Sequence, residues 1–245
     1  YYNINNRLDV SGRSGCEYFQ KDGNWLYTIA QFFPRMAVYD DVNGWQNKQF
    51  LGRGEFALPF GNYQVSITVP ADHIVASTGT LQNPDKVLTK TQRERLEAAK
   101  TADKPMLIVT QQEAIKNEKS RSKETKTWVF HADNVRDFAF ASSRKFIWDA
   151  MGVQVADNRP MAMSFYPKEG NPMWGEVSTW AVVNTLITYS KYTIDYPYPV
   201  AISVDGTNGM EYPMICFNGG RPDEDGNYTD RKKYRLIGLV IHEVG

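Results

Sequence analysis

The chain has 245 residues and 28.0 kDa, room for one large domain or two ordinary ones. Lys plus Arg is 28 and Asp plus Glu is 28; this zero net charge argues against a nucleic-acid binder that works through a bulk basic field. The 42% hydrophobic and 23% charged content argues against disorder, and the longest apolar run, residues 236–241, is far shorter than the ~18 residues of a membrane span.

Taken in chain order, residues 1–10 are polar and predict no signal peptide. The chain opens on Tyr1 rather than Met, and this end reads as cut. Residues 1 to about 81 read as strands, in keeping with 13% aromatic content. The clearest strand is 62–70, where Tyr63, Val65, Ile67 and Val69 alternate with polar residues, the period of a half-wet strand. Frequent turn signals such as Gly23-Asn24 and Asn43-Gly44 predict a sandwich-type all-β unit. Gly52 to Ala57 fits a dinucleotide-binding pattern, but Leu58-Pro59 prevents the helix that pattern requires, so it reads as a loop. His73 and His131 stand in strand-rich segments without activating neighbours and read as structural.

Residues 86–126 hold eleven Lys and Arg against six Asp and Glu. Mixed charges without interleaved aromatics predict a solvated insertion rather than a nucleic-acid arm. Within it, a capping box at Thr91 to Glu94 predicts a helix to Lys100, and 106–109 a short strand. Strand character returns at 128–130 and 135–141. A domain boundary is expected near 155, dividing a β-rich unit (1–155) from a mixed unit (156–245). In the latter, 161–166 and 200–204 predict strands and 174–189 a helix with apolar residues at three and four. The acidic run 223–227 lacks calcium-loop spacing and reads as a surface turn, and Asn227-Tyr228-Thr229 is a glycosylation sequon by pattern only. Residues 231–245 predict a helix apolar almost all round, as in a buried helix, cut at its end; the alternative is that Gly245 is its natural cap. Cys16 and Cys216 form no disulfide framework and leave the compartment open.

Two short elements carry candidate chemistry. His242-Glu243-Val244-Gly245 supplies the first four positions of His-Glu-x-x-His, which on a helix sets two imidazoles one turn apart beside a general base. A lone His-Glu is weak, but a Glu on an apolar helix would be costly without a partner or a task. The second element is Asn208-Gly209-Met210-Glu211-Tyr212-Pro213. Its glycine permits close backbone approach, and Glu211 on a strand can face a cleft, although a surface carboxylate is the simpler alternative.

Together these elements resemble the aminopeptidase N family of gluzincin zinc metallopeptidases. That family carries Gly-x-Met-Glu-Asn some thirty residues before His-Glu-x-x-His, and here 242 − 211 gives 31. Gln31 to Arg35 through Asp41, and Trp128 to Asp149 with its Val135-Arg136-Asp137-Phe138-Ala139-Phe140, are similar to segments of the family's N-terminal β-domain. The resemblance implies a partial β-sandwich followed by the first part of an α+β thermolysin-like catalytic domain. It implies His242 as first zinc ligand and Glu243 as general base. It also implies Glu211 as the grip on a peptide's free amino terminus, with Gly209 and Met210 on the strand that pairs with the peptide. The remaining ligands of the single zinc would lie beyond Gly245.

The chain departs from the family at Tyr212, where the signature has Asn, and at Phe33, where a Glu is frequent; Gln31 is a further candidate to face substrate. The partners implied are peptides with a free N-terminus, and neither nucleic acid nor a transmembrane segment is expected. One imidazole supplies only about a quarter of the ~10–16 kcal/mol of a structural zinc site, so this chain alone is expected to be inactive and not to hold stoichiometric zinc. Two rival readings remain: a catalytically silent peptide-binding scaffold, and a β-sandwich binding module with an accidental His-Glu. The last predicts Glu211 and His242 on opposite faces.

Overall fold

The computed structural model describes residues 13–48, 57–206 and 209–245. In chain order the strands β1 (Gly15–Phe19) and β2 (Asn24–Ile29) precede a separate hairpin, β3 (Val38–Asp40) and β4 (Gly44–Gln46). Then follow β5 (Gly61–Pro70), β6 (Ile74–Ser77), β7 (Thr80–Leu81), α1 (Pro84–Val87), α2 (Lys90–Ala99), β8 (Met106–Val109) and α3 (Gln111–Ser120). Three further strands are β9 (Thr125–Val135), β10 (Phe140–Ser143) and β11 (Ile147–Gly152). The chain ends with β12 (Met161–Tyr166), α4 (Met173–Tyr192), β13 (Val200–Asp205), β14 (Met210–Tyr212), β15 (Ile215–Asn218) and α5 (Asp230–Val244).

The strands form a four-stranded sheet β1-β2-β10-β6, a three-stranded sheet β5-β9-β7, the β3–β4 hairpin and a six-stranded sheet β14-β15-β13-β12-β11-β8. In the six-stranded sheet β12–β13 and β13–β15 are parallel and the other pairs antiparallel. α4 makes the crossover between the parallel β12 and β13, as parallel neighbours require. The fold is thus mixed sheet and helix with several sheets.

The six-stranded sheet divides two cores, and the period of two shows how. All of β12 is buried, yet Met161, Met163 and Phe165 join the core shared with Trp128, Val75 and Phe138, while Ala162 and Tyr166 join the core under α4 and α5. A one-residue register slip would exchange these two sets. Gly79 (φ +90°) turns the chain from β6 into β7, and a Cβ there would lie 2.4 Å from the His131 carbonyl oxygen, so only glycine fits.

Several predicted elements shift. The strand at 62–70, the strand at 106–109 and the strand at 161–166 all form. The insertion's first helix is capped by Thr89 with Gln92, not by Thr91 with Glu94. A second boxed helix, α3, capped by Thr110 and Glu113, occupies the charged run that gave no helical prediction. The strand predicted over 135–141 is broken at 136–139. There the Asp137 carboxylate accepts from the Phe138 N–H at 2.8 Å and from Arg35 at 2.6 Å, taking the backbone out of the ladder. The terminal helix is amphipathic, not buried all round: Leu236 and Val240 are buried while Tyr234 is 65% exposed. β8 and β11, from before residue 155, lie in one sheet with β12 and β13 from after it. No helix among the described residues is long and apolar enough to cross a membrane.

Candidate functional site

Glu211 is the middle residue of β14, an edge strand of the six-stranded sheet, and pairs across to Cys216. Met210 and Tyr212 turn inward and are buried, so strand alternation leaves Glu211 exposed on the opposite face. The outer edge of β14 has no strand beside it among the described residues, which leaves backbone groups open to an extended peptide. Gly209 enters the strand at φ +43°, and a Cβ there would lie 3.9 Å from Glu243 Oε1. The strand and the end of α5 are therefore in contact.

Glu243 is half-buried in the last turn of α5, and its Oε2 is buried without a hydrogen-bond partner. Burial pushes its carboxyl up to about 7, helped by a hydrogen bond with the Glu211 carboxyl and by the Glu211 charge; the charges of His242 and Arg13 pull the other way. Two carboxyl groups of different elements thus face one another, and the nearby positive charges do not outweigh burial and their mutual repulsion. Both line a cavity of about 320 Å³ whose wall includes Tyr196, Tyr198, Tyr212 and Arg136. A positive group placed between the two carboxyls would satisfy both.

Gln31 reaches the same place from the other side. Held at φ +50°, it donates from Nε2 to the Tyr212 hydroxyl at 3.3 Å and lines a small cleft with Glu211, Arg35 and Arg136. Tyr212, the departure from the family signature, is thus the contact between Gln31 and β14. Phe33 instead packs edge-on against Phe32 and Tyr63 at 5.0 and 5.8 Å. Met210 is buried in the core beneath the strand.

His242 lies one residue before Glu243 and is exposed. Among the described residues no group of three or more His, Cys, Asp or Glu side chains could hold a metal ion. One imidazole does not make a zinc centre, so the donor set present does not fit the metal by itself. Cys216, across from Glu211 on β15, has its thiol pushed up to about 12 by burial, which keeps it protonated and inert. Cys16 is likewise buried.

Sequence reasoning missed Arg136. It lies just before Asp137 in the broken segment, is exposed, and lines both the larger cavity and the Gln31 cleft. A lone arginine in a strand-like run carries no pattern that would single it out. The remaining candidates resolve as structural. His73 bonds Ser142 at 2.8 Å in the core, and His131 bonds Asp133 at 2.9 Å. The 223–227 run is a turn closed by Asp223 N–H to the Asn227 carbonyl, and Thr229 of the sequon caps α5. The dinucleotide-like stretch lies outside the described residues apart from Ala57.

No protein-family model matches the chain, and no curated protein matches its sequence. Solved structures do. The aminopeptidase A of Legionella pneumophila in complex with aspartic acid aligns with a TM-score of 0.50 at 12% identity, over 92% of this chain and 22% of that one. The M1 zinc metallopeptidase from Deinococcus radiodurans aligns with a TM-score of 0.46 at 14% identity, over 76% of this chain and 34% of that one. A two-domain M1 zinc metallopeptidase E323A mutant bound to L-arginine gives 0.45 at 14% identity, over 76% and 34%. The chain spans about a third or less of the length of these structures. At such identity the likeness is one of fold.

Proposed function

We propose that this chain is part of a zinc-dependent metallo-aminopeptidase, a hydrolase that releases N-terminal residues from peptides. The observation that supports it most is the convergence of Glu211 and Glu243, 32 positions apart, on one cleft beside an open strand edge. This speaks against an accidental His-Glu in a binding module, which would leave the two motifs on opposite faces. In this reading the six-stranded sheet, which takes β8 and β11 from before residue 155, belongs to the first part of the catalytic domain, and the sheets of β1–β7, β9 and β10 to an N-terminal β-domain. His242 would supply one zinc ligand, the others would come from outside the described residues, and the metal would supply Lewis acidity to the complete site.

The chain's own residues do the following. β14, with Gly209 and Met210, pairs with the peptide backbone. Glu211 takes the substrate's ammonium, with Gln31 on the far side of the cleft. Glu243 accepts the proton of the attacking water and returns it to the leaving amine. Binding through a charged amine disfavours peptides with blocked termini.

The test uses the natural gene product that contains this chain, assayed on aminoacyl substrates and on free and acetylated peptides. Glu243→Gln is expected to lower kcat by roughly 10²- to 10⁴-fold, the usual contribution of a general base. Glu211→Gln is expected to raise KM and abolish discrimination against acetylated peptides. Unchanged discrimination in Glu211→Gln would remove the role given to that residue, and full turnover in Glu243→Gln would remove the reaction.

A further inference from the structure

A second pocket, which does not include Glu211 or Glu243, opens between strands β6, β7 and β9 and the six-stranded sheet. It measures about 750 Å³, within the roughly 300–1,000 Å³ of small-molecule sites. Strands β6, β7, β9, β11, β12 and β13 and helix α2 contribute to it. Its floor is apolar and stiff: Trp148 stacks on Phe165 at 5.0 Å, Trp128 on Phe130 at 6.4 Å, and Met161 and Met163 lie alongside. Among the described residues, the indole N–H groups of Trp128 and Trp148 are its buried polar atoms without a hydrogen-bond partner.

The mouth differs from the floor. Arg93, Glu94, Glu97, Lys100 and Arg159 line it, all exposed or half-buried. Both acids already have lysine partners, Glu97 with Lys100 at 2.6 Å and Glu94 with Lys90 at 3.8 Å. The two guanidinium groups are differently placed. Arg93 donates to the carbonyls of Leu88 and Asp85, and Arg159 to the carbonyl of Lys100 and the amide oxygen of Gln154. These bonds aim the side chains and leave their charge without a carboxylate partner. An apolar chamber whose mouth carries an arginine at each end of α2, neither paired with a carboxylate among the described residues, matches a molecule that has an apolar body and one anionic end.

We propose that this pocket binds a single-chain fatty carboxylate, its tail against Trp128, Trp148 and Met163 and its head on one of the two mouth arginines, Arg93 or Arg159, which stand at opposite ends of α2. The site is independent of the peptidase reading and would stand if that reading fell.

The probe is cis-parinaric acid, a polyene fatty acid that takes up tryptophan emission, titrated into the 245-residue chain. Saturable one-to-one transfer is expected. Saturated C8 to C16 acids should displace the probe, each added methylene strengthening binding by roughly two- to fourfold until the chamber is full. Methyl esters of the same acids should bind at least about tenfold more weakly, consistent with loss of a charge-assisted bond. The double variant Arg93→Gln with Arg159→Gln, changed only at the mouth, should remove that acid-over-ester preference. Met163→Trp should block acid and ester alike. Thermal melting checks that each variant folds, and if Met163→Trp does not, the mouth variant alone decides. No saturable transfer, or equal binding of acid and ester by the unmodified chain, would overturn the proposal. So would an acid preference that survives the double variant.

Discussion

His73 shows how a single side chain ties the fold to pH. Burial presses its imidazole down to about 4, the neighbouring Arg144 charge adding to this and Asp72 opposing it. The unfolded chain protonates near 6.5. The folded state therefore refuses a proton that the unfolded state takes. The resulting stability is complete above pH 6.5 and is lost as pH falls toward 4, about 3 kcal/mol in all. Asp149 works in the opposite sense. Burial lifts it to about 6 despite hydrogen bonds from Thr179 and Tyr166, so the folded state takes its proton first and gains stability as pH falls from 6 to 4. In the unmodified chain the two trends offset one another. His73→Gln removes the first trend, and stability measured by urea unfolding should rise, relative to the parent's change between pH 7 and 4.5, by about 2 kcal/mol. A variant that tracked the parent across that range would show that His73 is not the opposing group.

At the level of elements, what was legible depended on whether a pattern was unique. The alternation over 62–70 and the apolar run at 161–166 admit one reading, and β5 and β12 follow them. Thr91 to Glu94 and Thr89 to Gln92 both satisfy the capping-box pattern. The choice fell to Thr89, where the bend after α1 delivers the chain: Leu88 is extended at the end of that helix and buried. α3 was hidden because its sequence is charged on most sides, with Ala114 and Glu118 its buried residues. Its start is nonetheless well built. Glu113 accepts from Thr110 N–H and hydroxyl at 2.8 Å each and from Arg95 at 2.7 Å, and although burial opposes it, these bonds hold its carboxyl below the usual range. Thr110→Ala removes the hydroxyl from this set and should cost about 1 kcal/mol, read as a lower urea midpoint with unchanged slope. No loss would mean that α3 is held by its packing on β11 and not by its cap.

At the level of the whole molecule, the resemblance implied that Glu211 and Glu243 serve one site; the packing that brings their segments to one cavity, and lines it and the adjoining cleft with Arg136 and Gln31, is long-range and encoded by no local period. The same is true of the ionic knot that joins the sheets. Lys145, fully buried in the β10–β11 turn, meets Asp22 from the β1–β2 turn, Glu118 from α3 and Glu169 from the 3₁₀ turn (Lys168–Gly170) after β12. Lys168 bridges Asp22 and Glu118 as well, and Phe19 lies beneath the Lys145 ammonium at 4.4 Å. Asp22 feels burial raising its pKa, but bonds from the two lysines outweigh it and hold the group low. Four segments separated by up to 147 positions (169 − 22) thus depend on one ammonium. Lys145→Met would leave three acids around Lys168 alone, and breaking such a buried set usually costs about 3–5 kcal/mol. Adding Glu118→Gln to that variant removes one stranded charge while keeping an acceptor. If repulsion among the carboxylates is what destabilises Lys145→Met, the double variant should be more stable than the single one by at least about 1 kcal/mol in urea unfolding followed by tryptophan fluorescence. Equal stability of the two would instead assign the loss to the lysine's packing against Phe19.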